Sequence, residues 1–126
     1  MKNMNPFPMG LHSGSWKTRA KTLESISDSD MDSHQLFEIL FASLYDQEPN
    51  VRMVAVHYLD KKINNEIIIS HLENLFSAKE RQIRFSAVIA SETLSKEYLL
   101  PMLSNLSEKD PEIDSRIKSL IEDIAN

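Results

Sequence analysis

The sequence predicts an all-α fold, an α-α superhelix of about seven helices in three and a half repeats. Three observations support this prediction: one helical pattern recurs every 31 residues, a second pattern recurs between its copies, and glycine is almost absent. Both glycines, Gly10 and Gly14, lie near the start of the 126-residue chain. Since tight hairpin turns depend on glycine, the rest of the chain favours helices over β-hairpins.

The stricter of the two patterns begins at Ser33, Asn64 and Ser95, each 31 residues after the previous copy. Its copies are SHQLFEILFASL, NNEIIISHLENL and SKEYLLPMLSNL. Each starts with Ser or Asn, whose side-chain oxygen can accept a hydrogen bond from a free N–H at a helix start. The apolar positions then recur with helical spacing. They are Leu36, Ile67 and Tyr98; Phe37, Ile68 and Leu99; Phe41, Leu72 and Leu103; and Leu44, Leu75 and Leu106.

The second pattern is a turn followed by an apolar–basic pair, as in EPNVRMVAVHYL, residues 48–59. ERQIRFSAVIAS repeats it from Glu80, and DPEIDSRIKSLI from Asp110 with Asp114 in the basic place. Upstream, SGSWKTRAKTLESI puts Trp16 and Lys17 in the positions of Val51 and Arg52. The resulting helices are predicted over 15–27, 33–46, 50–61, 64–77, 81–93, 95–106 and 111–124.

A helix pair of this kind cannot bury its apolar face alone, so stacked pairs are expected to share one core. We therefore predict a single helical repeat domain over residues 15–126, after an irregular segment over residues 1–14. Phe7, Met9 and Leu11 are expected either to cover the first end of the core or to belong to a disordered terminal segment. The last helix, with Ile113 and Ile117 on one side, is expected to cap the other.

These paired patterns resemble the HEAT repeat in its short form. The first helix of each repeat carries the apolar–basic pair, and the second helix is the one that starts at Ser33, Asn64 or Ser95. The closest match is SKEYLLPMLSNLSEKDPEI, which has Pro101 in the first turns of its second helix. The resemblance covers Ser15 to Asn126. It implies that the second helices line a concave surface where such proteins usually bind. It also implies that Arg52 and Arg84 form a ladder of ion pairs, for which the candidate partners are the acids Asp46, Glu48 and Glu80.

The composition and the motifs of the chain limit the classes of function that we expect. The chain has a net charge of −5 and no cysteine, and it lacks a glycine-rich phosphate loop, an HExxH motif and a Gly-x-Ser-x-Gly motif. We therefore expect no enzymatic activity, no cofactor and no metal. The acidic balance disfavours nucleic acid as a partner. The sequence has no signal peptide and no apolar run long enough for a membrane span, so a cytoplasmic location is expected.

Two single residues allow alternatives. His71 shares a column with Leu40 and Met102, so it is either a hydrogen-bonded histidine at the edge of the core or a partner contact that responds to pH. Trp16, the only tryptophan, is either a plug at the end of the core or a binding hot spot.

The predicted partner-binding residues are the non-core positions of the second helices, where acids alternate with apolar side chains. In aligned order they are Gln35, Glu66 and Glu97; Glu38, Ile69 and Leu100; Ala42, Glu73 and Ser104; and Tyr45 with Phe76. An acidic groove with exposed apolar spots suits a basic protein surface, because charge steers the encounter and apolar contacts hold it. The alternative is an ordinary acidic surface on which Ile69 and Leu100 are buried by neighbouring repeats.

We therefore expect a non-catalytic protein-binding module that acts by binding alone, as a monomer or weak dimer. The analogy with small acidic proteins suggests an inhibitor of the immunity type, directed at a basic toxin or nuclease, or an adaptor. The resemblance also leaves an alternative: short HEAT-like repeats occur in phycobilin lyases, so the chain could be an accessory subunit of a bilin lyase-like or other enzyme complex.

Overall fold

A computed structural model describes residues 9–126, and within that range the protein is all-helical, with seven α-helices and no strands. The helices are α1 (Trp16–Ser27), α2 (Ser33–Ser43), α3 (Pro49–Lys62), α4 (Asn65–Phe76), α5 (Arg81–Leu94), α6 (Leu100–Ser104) and α7 (Pro111–Ala125). Two short 3₁₀ helices, Met9–His12 and Glu97–Leu99, precede α1 and α6. The predicted helix class is confirmed.

The chain divides into two compact units, Met1–Ile63 and Asn64–Asn126. In the first unit, α1 and α2 both pack against α3, and the N-terminal 3₁₀ helix packs against α1. The buried apolar side chains of this unit include Leu23, Leu36, Ile39, Leu40, Leu44, Val51, Ala55 and Leu59. Helix α3 therefore stands between two neighbours and carries much of the packing.

In the second unit, α4 packs against α5, while α5 and α6 both pack against α7. Its buried side chains include Ile68, Leu72, Ala87, Val88, Leu94, Leu99, Leu103, Ile113 and Ile117. Helix α7 buries one side and exposes Glu112 and Lys118 on another, so it has the amphipathic pattern that the sequence predicts. In each unit a second helix contacts the first helix that follows it.

The helix starts follow capping chemistry. Asn64 caps α4 as predicted, and its side chain accepts a hydrogen bond from the Glu66 N–H at 2.8 Å. At α2 the cap is Asp32 rather than Ser33, because the Asp32 carboxylate accepts from the N–H groups of His34 and Gln35. A carboxylate at this position also interacts favourably with the positive end of the helix dipole.

The sixth helix is much shorter than predicted. The sequence predicts a helix over 95–106 with Ser95 as its N-cap, but Ser95 ends α5 in a left-handed conformation, with φ at 47°. A 3₁₀ turn then leads to α6, which begins at Leu100 and has Pro101 in its first turn. Proline has no N–H and its ring collides with the preceding turn, so it is tolerated only near a helix start.

No helix in the described part of the chain is both long and apolar enough to cross a membrane.

The N-terminal 3₁₀ helix touches α1 closely at one point. A Cβ atom placed on Gly10 would lie 2.1 Å from the Thr22 Oγ1 atom, so only glycine allows this approach. Leu11 is half-buried, but Met9 is 87% exposed and therefore does not cover the core. Phe7, the third residue predicted to do so, lies outside the described residues.

Replacing Gly10 with alanine should therefore loosen this segment. We expect Gly10→Ala to lower the free energy of unfolding by about 1 to 3 kcal/mol, the usual cost of overpacking. Gly14→Ala is the matched control, since its Cβ would meet nothing within 4 Å. Urea denaturation of both variants measures the difference, and equal stability would contradict the close approach.

Candidate protein-binding surface

Helix α2 presents the predicted residues of the first unit on its exposed side. Gln35, Glu38 and Ala42 are spaced by three and four residues, so their side chains share one face, and all three are exposed. Tyr45 follows just beyond the helix end and is 40% exposed. Its ring meets the buried ring of Phe41 edge to face, with centroids 6.0 Å apart, which holds the tyrosine in place.

Helix α4 repeats this face in the second unit, with one correction. Glu66 and Glu73 are exposed and Ile69 is half-buried between them. Phe76, however, is only 8% exposed, so the expectation of an exposed aromatic spot there is wrong. Because α4 stays helical up to this residue, Phe76 falls on the same buried stripe as Ile68 and Leu72. Helix α2 ends two residues before Tyr45, the aligned aromatic residue, which leaves that ring outside.

The remaining predicted residues surround the shortened sixth helix. Glu97 is exposed on the 3₁₀ turn, Leu100 is half-buried at the start of α6, and Ser104 is exposed at its end. Leu100 and Ile69 are thus neither fully solvated nor fully buried. Their exposure thus lies between that of an open apolar contact and that of a residue buried by a neighbouring repeat.

The charge on these segments has a single sign. Among residues 33–43, 65–76 and 97–104, the only side chains charged at neutral pH are four glutamates: Glu38, Glu66, Glu73 and Glu97. All four are exposed. Within residues 9–126 no ion pair engages their carboxylates. We call these four residues the glutamate set.

The arginines, in contrast, are engaged inside the protein. Arg19, Arg52 and Arg84 each donate from Nη1 to the backbone carbonyl six residues earlier. The acceptors are Ser13 at 2.8 Å, Asp46 at 2.7 Å and Ala78 at 3.0 Å. The contact of Arg52 is thus with backbone carbonyl oxygens, not with the loop carboxylates that the resemblance implied. Arg19, and not Lys17, takes the equivalent place in α1.

Two of these arginines also reach the turn that precedes the next first helix. Arg19 pairs with the Asp46 carboxylate at 2.9 Å, and Arg84 with the Glu108 carboxylate at 3.0 Å. Asp46 is therefore an ion-pair partner as expected, but of Arg19. The other two candidate acids differ: Glu48 accepts from the Asn50 amide, and Glu80 caps α5 without a side-chain hydrogen bond.

Arg81 and Arg116 join α5 to α7. Arg81 bonds the carboxylates of Asp110 and Glu112, and Arg116 bonds Glu92 at 2.6 Å. Both guanidinium groups lie over the Phe85 ring, 5.6 and 5.0 Å from its centroid. This stacking adds to the ion pairs, because the ring face attracts cations. All five arginines of the chain are thus engaged in internal contacts.

The histidines and the tryptophan take intermediate positions. His71 is half-buried on α4, and Trp16 is half-buried on α1, so neither is a fully buried core residue. Within residues 9–126 no three His, Asp or Glu side chains gather in a way that could hold a metal ion.

These contacts lower the pKa of two aspartates, Asp46 and Asp110. The Arg19 hydrogen bonds, together with the Glu48 N–H, hold the pKa of Asp46 below its usual value. Arg81 does the same for the pKa of Asp110, helped by the Ile113 N–H. A carboxylate that is favoured in its charged form stabilises the folded state above its unfolded pKa of about 3.9. That stabilisation is lost as the pH falls through the lower, folded pKa.

We therefore expect Asp46→Asn to be less stable than the parent at pH 7 and to lose less stability on acidification. Urea midpoints measured from pH 7 down to about pH 2 would show the two curves converging. Asp30→Asn, at an exposed turn position, is the control and should follow the parent. Parallel curves for Asp46→Asn and the parent would contradict the role of the Arg19 pair.

Comparison with family models, curated proteins and solved structures found no match to this chain. The resemblance to HEAT repeats therefore rests on the sequence repeat, and any function must be argued from the residues themselves.

Proposed function

We propose that this protein is a non-catalytic binding module, a short HEAT-like solenoid that holds a basic protein partner on its second helices. Its role would be that of an inhibitor or an adaptor, in which binding is itself the function. The proposal is carried by one observation: residues 33–43, 65–76 and 97–104 contain no lysine or arginine, although Lys96 precedes the last of these segments, and within residues 9–126 their four exposed glutamates take part in no ion pair.

Unpaired carboxylates suit this role for an electrostatic reason. An internal ion pair must be broken before either group can bind a partner, whereas a solvated carboxylate is available at once. Charges at the rim of an interface mainly raise the association rate and set its salt dependence. The glutamate set would therefore steer a basic partner towards these helices.

Affinity needs apolar contact as well. Tyr45, Ile69 and Leu100 each keep part of their side chain accessible. Ile69 lies three residues after Glu66, and Leu100 three residues after Glu97. Tyrosine in particular supplies a large contact area with little loss of conformational entropy. These three side chains are the proposed apolar contacts of the interface.

The partner is identified by affinity capture of the tagged protein from an extract of its own source, at low and at high salt. We expect one stoichiometric basic protein whose recovery falls as salt increases, since screening weakens rim charges. A toxin or nuclease would support the inhibitor role. Capture of no protein under either condition would contradict the proposal.

Charge reversal then tests the surface itself. We expect Glu66→Lys, Glu73→Lys and Glu97→Lys together to weaken the captured partner by more than about tenfold, because three attractions become repulsions. The matched control reverses Asp30, Glu122 and Asp123, which are exposed elsewhere and change the net charge equally. Calorimetry gives the affinities and circular dichroism the helicity. A loss of the same size in the control would show that only net charge matters.

A further inference from the structure

A groove of about 480 Å³ lies between α1 and α3 in the first unit, away from the second helices. Trp16 and Ala20 of α1 line one wall, and Met53 and Val54 of α3 the other. Met53 is 67% exposed and the other three are half-buried. The lining is therefore largely apolar although it is open to solvent.

This groove exists because α3 has more apolar residues than its core contacts use. Val51, Ala55 and Leu59 form the buried stripe of the helix. Met53 and Val54 lie off that stripe, and no core element covers them fully. A helix with apolar side chains beyond its buried face typically has a second surface to contact.

One end of the groove is acidic. Glu24 lines it beside Tyr58, and the charge of Asp28 is also close to the Tyr58 hydroxyl. Burial, together with the nearby charges of Asp28 and Glu24, raises the pKa of Tyr58 above its usual value. In the part of the chain that the structure describes, neither carboxylate forms an ion pair with a lysine or arginine. Two negative charges are thus close to one phenol, and the polar side chains of Asn50 and His57 complete the lining of the groove.

We propose that this groove is a second docking site, which takes a basic amphipathic helix of a partner protein. An apolar side chain of that helix would rest between Trp16 and Val54, and a lysine or arginine would reach Glu24 and Asp28. Charge complementarity selects this occupant: the acidic end repels nucleic acid and acidic peptides, and the apolar walls favour a side chain with a long hydrocarbon stem.

The aromatic residues strengthen the choice of a cation. Trp16 and Tyr58 are the residue types that most often dominate binding energy, and their ring faces attract guanidinium and ammonium groups. Lys17 already lies over the Trp16 ring, 5.8 Å from its centroid, so this ring accepts a cation in the free protein.

The test uses two synthetic amphipathic helical peptides with identical apolar residues, one carrying arginine and lysine and the other glutamate at the polar positions. Trp16 is the only tryptophan and lies in the groove, so its fluorescence reports binding at this site. We expect a saturable change with the basic peptide, weakened by salt, and none with the acidic peptide. Equal binding of both peptides, or of neither, would overturn the proposal.

Variants locate the contact. Met53→Arg should weaken the basic peptide at least about tenfold, while Ile67→Arg, which adds the same charge at an exposed site on α4, should not. Glu24→Gln, at an exposed position, should weaken it severalfold without affecting the fold. Reversal of Glu66, Glu73 and Glu97 should leave this titration unchanged, which separates the groove from the second-helix surface. Binding that appears only after residues 1–8 are deleted would make that segment the occupant and refute the proposal.

Discussion

The bond between an arginine and the carbonyl six residues earlier stabilises the turns that precede α1, α3 and α5. A turn leaves carbonyl oxygens without the N–H partners that a helix would supply, and such groups are costly unless they are satisfied. Arg19, Arg52 and Arg84 supply those donors from the beginning of the helix that follows each turn. The planar guanidinium has further N–H groups, so Arg19 and Arg84 also hold a carboxylate in the turn before the next first helix. One side chain thereby contacts the turns that precede two neighbouring first helices.

This use of arginine also shapes the surface. Four of the five guanidinium groups pair with a carboxylate, so these four add little positive potential outside. Glu92, Glu108 and Asp110 pair with these arginines, whereas none of the ion pairs within residues 9–126 includes Glu24 or Glu122. Within the described residues the glutamate set has no such partners either. Exposed carboxylates without an ion pair therefore lie on the second helices and also beside the groove between α1 and α3.

Much of this structure follows from sequence pattern, and the departures have identifiable causes. The 31-residue spacing predicts α2 and α4 well, because cap residues and apolar periodicity agree there. It fails at α6, where Pro101 restricts the helix start. The exposure of the glutamates follows from helical periodicity alone. The burial of Phe76 follows from the same periodicity, since Phe76 continues the stripe of Ile68 and Leu72. The groove between α1 and α3 does not, because it depends on how these two helices pack. The role of Arg19 is signalled only weakly in the sequence, by its spacing of six residues from Ser13, which equals the spacing of Arg52 from Asp46.

The arginines contact either a backbone carbonyl or a carboxylate, and these two kinds of contact would be affected differently if the chain grew by duplication of a repeat. The carbonyl that each arginine bonds lies only six residues away, so a duplicated segment would bring both donor and acceptor with it. The carboxylate belongs to the following copy, as Asp46 does for Arg19 and Glu108 for Arg84. Arg52, by contrast, bonds two carbonyl oxygens and no carboxylate within the described residues. A chain that grew in this way would keep the short bond in every copy that carries the arginine, whereas the ion pair would form only where the following copy supplies an acid.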